Sequence, residues 1–136
     1  MPRRIDHYLA TLVSEEKLDF YAVVRDFADR EIAPHILKWE REHQLVPDDA
    51  IAKMGELGLF GLPIAEEYGG QGGDMTDLVL MGLAIGYHSQ SVAITPGAAI
   101  SLGAKPLQLC GTDAQKKAHL PDLAAGRRMF VFGLSE

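Results

Sequence analysis

The chain has 136 residues, 47% hydrophobic but only 7% aromatic, enough for one domain with a core of Ala, Leu, Ile, Val and Met. A net charge of −6 without any basic stripe argues against nucleic acid or an anionic membrane as main partner. The single Cys110 excludes an internal disulfide framework and fits a reducing cytoplasm, and no apolar run approaches the roughly 18 residues of a spanning helix.

"MPRR" resembles the start of a signal peptide, but "IDHYLATLVSEEK" is too short and too charged to follow it. No period of 20–50 residues repeats, which excludes a solenoid. Residues 14–42 read as helix. Ser14 can cap it, Glu15 and Glu16 favour its first turn, and Leu18, Tyr21, Val24, Phe27 or Ala28, Ile32, Ile36 and Trp39 form one apolar stripe. Pro34 lacks the N–H for the carbonyl four residues back, so the spacing predicts a kink or break near Ala33.

Pro47 opens a second helix through "DDAIAKMGELG", with Gly58 as its C-terminal cap. "LFGLPIAEEYGGQGG" follows as an irregular connector, with Leu59, Phe60, Leu62 and Ile64 available to pin it to the core. Residues 75–88 carry apolar side chains all round, which predicts a buried helix. Residues 91–104 are small or apolar, and Pro96 and Gly97 predict a kink. So thin a helix lets a neighbouring helix, or a ligand, approach its backbone closely.

Thr112 and Gln115 have capping-box spacing at the start of the helix in "GTDAQKKAHL", and "PDLAAG" is expected to turn the chain. Met129 to Leu134 is the one good strand signal. A single strand cannot satisfy its own backbone, so the chain is expected to be incomplete or to borrow a partner strand.

The four glycines between Gly69 and Gly73 raise the question of a phosphate loop. In the register Gly70, Gly72, Met75 the third glycine of a dinucleotide fingerprint is missing, and no strand precedes it. The Gly-Lys-Ser/Thr of a P-loop is missing too, so a structural turn is expected. His7, His35, His43, His88 and His119 fall in no metal-binding pattern and read as structural or surface residues. Cys110 precedes Gly111 at a helix end, where the dipole raises a thiol's pKa, so it is expected to be buried or semi-buried and inert. No serine has a nucleophile-elbow context and no carboxylate pair has catalytic spacing. The residues by themselves therefore name no catalytic group and no metal ligand.

The order of segments carries more. "RDFADREIAPHILKWERE", "MGELGLFGLPIAEEYGGQGGD" and "SLGAKPLQLCGTDAQKKAHLPDLAAGRRMFVFGLSE" resemble the N-terminal part of the acyl-CoA dehydrogenase family. That family shows a Phe-Ala-x-x-x-Ile-x-Pro helix, an E-L-G-L-x-G-x-x-x-x-E-x-Y-G-G-x-G connector, a G-T/N-x-x-Q-K-x-x-x-L helix and a strand ending in Thr-Glu-Pro. The likeness covers residues ~14–136 and agrees with the elements read above.

The resemblance implies an all-α, up-and-down helical bundle over residues 1–128, and at 129–136 the first strand of a middle β-domain. It implies a flavoprotein oxidoreductase in which FAD lies between the β-domain and a C-terminal four-helix bundle, partly in a neighbouring subunit. A glutamate of that last domain takes the α-proton of an acyl-CoA thioester while the flavin N5 takes the β-hydride. An electron-transfer flavoprotein is the usual acceptor. That glutamate would lie beyond Glu136, and the Pro and Gly-Ser-Asp that normally follow are absent, so a fragment inactive alone is expected.

By the same resemblance, Phe132 and Leu134 match residues whose backbone touches the flavin pyrimidine edge. Ser135 matches a hydroxyl near N5 or O4, where a donor would stabilise reduced flavin. Ala98, Ala99 and Leu102 match the floor of the acyl pocket, and the small Ala98 leaves room for depth or width. Pro96 and Gly97 depart from a simple helix just before them. The alternative is a free-standing helical interaction module derived from this fold. The nearly apolar "VLMGLAIG" and "SVAITPGAAISLGA" favour the fragment, because a module would carry polar residues there.

Overall fold

The computed structural model describes residues 4–130 and residue 133. The described chain is helical, as the sequence predicts. It opens with α1 (Arg4–Leu12), which the apolar pattern did not single out. Arg25 of α2 (Glu15–Phe27) holds it there, with Nη1 2.6 Å from Asp6 Oδ2.

Ser14 caps α2 by accepting from the Lys17 amide, and the stripe from Leu18 to Trp39 faces inward. The break comes where Pro34 requires it. After Phe27 the chain widens into a π-helical stretch, Ala28–Ile32, then turns and resumes as α3 (Ile36–Arg41). The Ala33 amide donates to Ala28, five residues back. Helix α4 (Asp48–Glu56) follows Pro47, and Gly58 ends it in the left-handed conformation at φ +74°.

The connector holds two short 3-10 turns, Leu59–Gly61 and Glu66–Tyr68, and Leu59, Phe60, Leu62 and Ile64 are all buried, as expected. Helix α5 (Met75–Gly86) lies between α2 and α6 (Gln90–Ala98). The backbone of α6 continues through a π-helical stretch, Ala99–Ala104, into α7 (Lys105–Cys110). The main core joins these helices, and a second cluster gathers Ile64, Ala104, Leu120, Leu123 and Ala124 under α8 (Asp113–Ala124).

Two expectations are corrected. Helix α5 is not buried all round: Leu80, Met81, Ala84 and Ile85 are, but Met75, Val79, Leu83 and Tyr87 line up at four-residue steps on an open side. Pro121 does not end α8, which runs on to Ala124. The carbonyl that Pro121 leaves without a donor belongs to exposed Lys117, where water can serve it. Met129 and Phe130 of the expected strand form no regular structure, and most of the remainder lies outside the described residues. Phe130 instead packs edge-on against His119, centroids 6.0 Å apart. No helix among the described residues is long and apolar enough to cross a membrane.

Lys17 joins α2 to the start of α5. Its ammonium lies 2.6 Å from Asp77 Oδ2 and 3.2 Å from Asp74 Oδ2, the two members of the α5 capping box. The Lys17 hydrogen bond holds the Asp74 carboxyl below its ordinary value, as Arg127 does for Asp122 and Lys53 for Glu31. A carboxylate depressed in the native state contributes stability above its unfolded pKa, about 4, and that contribution is lost as pH falls through the lower native value. Lys17→Met is therefore expected to unfold at lower urea than the parent at pH 7, with the gap narrowing towards pH 3. Urea midpoints at the two pH values check this; an equal gap at both would overturn it.

Candidate functional site

The glycine-rich segment folds back on the connector. The amides of Gly70, Gln71, Gly72 and Gly73 donate to the carbonyls of Ala65, Gly61, Ile64 and Leu62 at 3.2, 2.9, 2.9 and 2.6 Å. A phosphate cradle needs such amides free and convergent. Here all four are spent on the protein's own backbone, so the segment is the turn the sequence suggests. Among the described residues this loop offers no seat for the phosphates of a dinucleotide, and no group of three or more His, Cys, Asp or Glu could hold a metal.

The turn delivers the chain to Asp74, whose Oδ1 accepts from the Thr76 and Asp77 amides, while Asp77 Oδ2 accepts from the Asp74 amide. Tyr68, half-buried against the second cluster, has its phenol pushed up by burial, with the Glu67 and Asp113 charges adding to it.

The small-residue segment, expected to admit a neighbouring helix or a ligand, spans α6 and the π-helical stretch after it. Pro96 sits buried inside α6, and the two flanking hydroxyls turn back onto the helix. Thr95 Oγ1 donates to the Ser91 carbonyl at 3.2 Å, and Ser101 Oγ donates to the Gly97 carbonyl at 2.7 Å. Beyond Ala98 the helix widens to i→i−5 bonding, with the Lys105 amide on the Ile100 carbonyl. A π-helical stretch inside a helix is often found at a functional site.

The three predicted pocket residues divide across this segment. Ala99 is buried in the main core. Ala98 is half-buried and Leu102 is 49% exposed, and with exposed Ile94 they mark the open side at four-residue steps. Leu102 also lines a shallow cleft of about 410 Å³ with Gly103, Leu107, Cys110, His119 and Phe130. Phe132, Leu134 and Ser135, the expected flavin contacts, lie outside the described residues.

Cys110 is exposed, not buried. It is the last residue of α7 and lies on the open side of the cleft it shares with Leu107 and Phe130. Two of the histidines hold neighbouring elements together. His88 Nε2 lies 2.6 Å from Asp29 Oδ1, which ties the end of α5 to the first π-helical stretch, and His35 stacks on Trp39. His119 Nδ1 is buried without a hydrogen-bond partner, a detail with no signal in the sequence.

Residues 14–127 match the family described as acyl-CoA dehydrogenase, N-terminal domain. The chain belongs to the acyl-CoA dehydrogenase family. A probable acyl-CoA dehydrogenase of Bacillus subtilis is 45% identical over 114 residues, 84% of this chain and 30% of the relative. The butyryl-CoA dehydrogenase of Megasphaera elsdenii superimposes with a TM-score of 0.79 at 29% identity, over 86% of this chain and 31% of that one. An acyl-CoA dehydrogenase of Bacillus anthracis, solved as a complex with FAD, gives a TM-score of 0.76 at 32% identity, over 88% of this chain and 20% of that one. The chain spans about a third of the length of some curated acyl-CoA dehydrogenases it matches and 14–18% of others.

Proposed function

We propose that this chain forms the N-terminal helical part of an FAD-dependent acyl-CoA dehydrogenase. Residues 1–128 serve as the helical domain and 129–136 begin the middle β-domain. Family membership across residues 14–127 is the observation that carries this reading. The open apolar sides of α5 and α6 support it over a free-standing interaction module, because surface of this kind is costly to leave in water.

In this role Ala98 and Leu102 contribute to the wall of the acyl pocket, with Ala99 backing them from the core. Phe132, Leu134 and Ser135 supply one edge of the flavin site. FAD, when bound, accepts the hydride removed from the acyl-CoA. Its phosphates are held elsewhere in the longer protein, since the loop amides here are already paired. An electron-transfer flavoprotein or a similar acceptor then reoxidises it, and further copies of the subunit complete a homo-oligomer.

The isolated chain is expected to purify colourless and to leave acyl-CoA unchanged in a dye-reduction assay with added FAD. A chimera in which it replaces the matching third of the Bacillus subtilis relative is expected to bind flavin and to lose the flavin absorbance on addition of acyl-CoA. In that chimera, Ala98→Phe is expected to lower kcat/KM about tenfold or more for long acyl chains and little for short ones. A folded, flavin-loaded chimera that no acyl-CoA bleaches would overturn the reading.

A further inference from the structure

A half-enclosed cleft on another side of the chain is not lined by Ala98, Ala99 or Leu102. It has a volume of about 530 Å³, within the range of small-molecule sites, and lies between α3, the α3–α4 turn, α4 and the first turns of α6. Ile36, Trp39, Val46, Ile51 and Val92 give it an apolar body. Its only charged lining residues are Glu40 and Asp48, and neither forms an ion pair among the described residues. Many of the chain's other acidic groups are paired: Asp6, Asp26, Asp29, Glu31, Asp74, Asp77 and Asp122 all have basic partners within 4 Å.

One wall is set by the way α3 ends. His43 adopts φ +50°, the only left-handed non-glycine residue among those described. The Gln44 amide then donates to the Trp39 carbonyl at 2.9 Å, so that Gln44, Leu45 and Val46 return over the tryptophan. With the His43 amide on the Glu40 carbonyl, this is the left-handed cap that ends α3, and it fixes the direction of the returning chain.

We propose that this cleft binds a small organic cation, an ammonium carried on a short aliphatic chain. The aliphatic part lies on the Trp39, Ile51 and Val92 surface, and the ammonium sits between the Glu40 and Asp48 carboxylates within reach of the indole face. An aromatic face with two carboxylates and no cation attracts positive charge and repels an anion. The assignment does not depend on the dehydrogenase reading, because it uses none of the residues of the proposed acyl wall.

Trp39 is the single tryptophan of the chain, so its fluorescence reports on the cleft directly. Hexyltrimethylammonium is expected to change the emission saturably, and added salt to weaken the effect. Hexanesulfonate and 1-hexanol, with the same chain, are expected to give no saturable change. Glu40→Gln is expected to raise the apparent Kd about threefold, and the double variant Glu40→Gln/Asp48→Asn about tenfold. Glu40 is exposed, so the single variant keeps the fold and remains informative if the double variant unfolds. An equal response to the sulfonate or the alcohol, an unsaturable response, or unchanged affinity in Glu40→Gln would each overturn the proposal.

Discussion

Phe60→Ala is expected to destabilise the chain by about 3–5 kcal/mol, the usual cost of deleting a fully enclosed aromatic ring. Phe60 is 0% exposed and sits in the short turn Leu59–Gly61, where α4, α6, the second π-helical stretch and α8 all pack. Its ring edge faces Gly126 so closely that a Cβ there would lie 2.9 Å from Phe60 Cδ2. The cavity cannot easily close, because the atoms around it come from elements fixed by other contacts. Against a total stability of about 5–15 kcal/mol the loss is large. The urea midpoint should fall by more than about 1 M with the slope of the transition unchanged. A midpoint within a few tenths of a molar of the parent would show that the turn is not part of the core.

Gly70→Ala is expected to cost about 3 kcal/mol, at the upper end of overpacking effects. An added Cβ would come within 2.5 Å of Ile64 Cβ and closer still to the Ile64 carbonyl, so backbone must move. That carbonyl accepts from the Gly72 amide, and a shift there loosens the whole return of the loop. Gly69→Ala is the control. Its Cβ meets nothing within 4 Å, but φ is +79°, so it is expected to cost only about 1 kcal/mol through backbone strain. Comparing the two by urea denaturation separates close approach from dihedral preference. A larger loss for Gly69→Ala would overturn the close-approach account.

These two residues show how far the sequence can be read. Four apolar residues in a connector, Leu59, Phe60, Leu62 and Ile64, announced that it would be pinned to the core, and all four are buried. That Gly70 needs to be glycine because Ile64 lies beneath it could not be read, since the contact depends on how the loop returns. The loop's failure as a phosphate site was legible from the absent lysine and third glycine. The structure adds the reason in atoms, four amides already paired.

The pocket residues divide in the same way. Ala98, Ala99 and Leu102 were placed by resemblance to a family motif, which fixes position along the chain but not helix phase. Ala99 continues the inward phase of Val92 and Pro96, while Leu102 stays on the open side with Ile94 and Ala98. The cleft beside Trp39 had no linear signal at all. Its lining comes from four separate segments, and only folding brings them together.

Local sequence alone determined the caps at Ser14 and Thr112, the break at Pro34, the stop at Gly58, the helical class and the family. Each of the structural signals acts within about four residues, through one hydrogen bond or one dihedral, and so is written where it acts. Tertiary structure decided which side of α5 stays open, that Lys17 meets Asp77 sixty residues away, and that a cleft forms beside Trp39. Each of those outcomes is set by a neighbour distant in sequence, because burial belongs to the packed assembly and not to any segment within it.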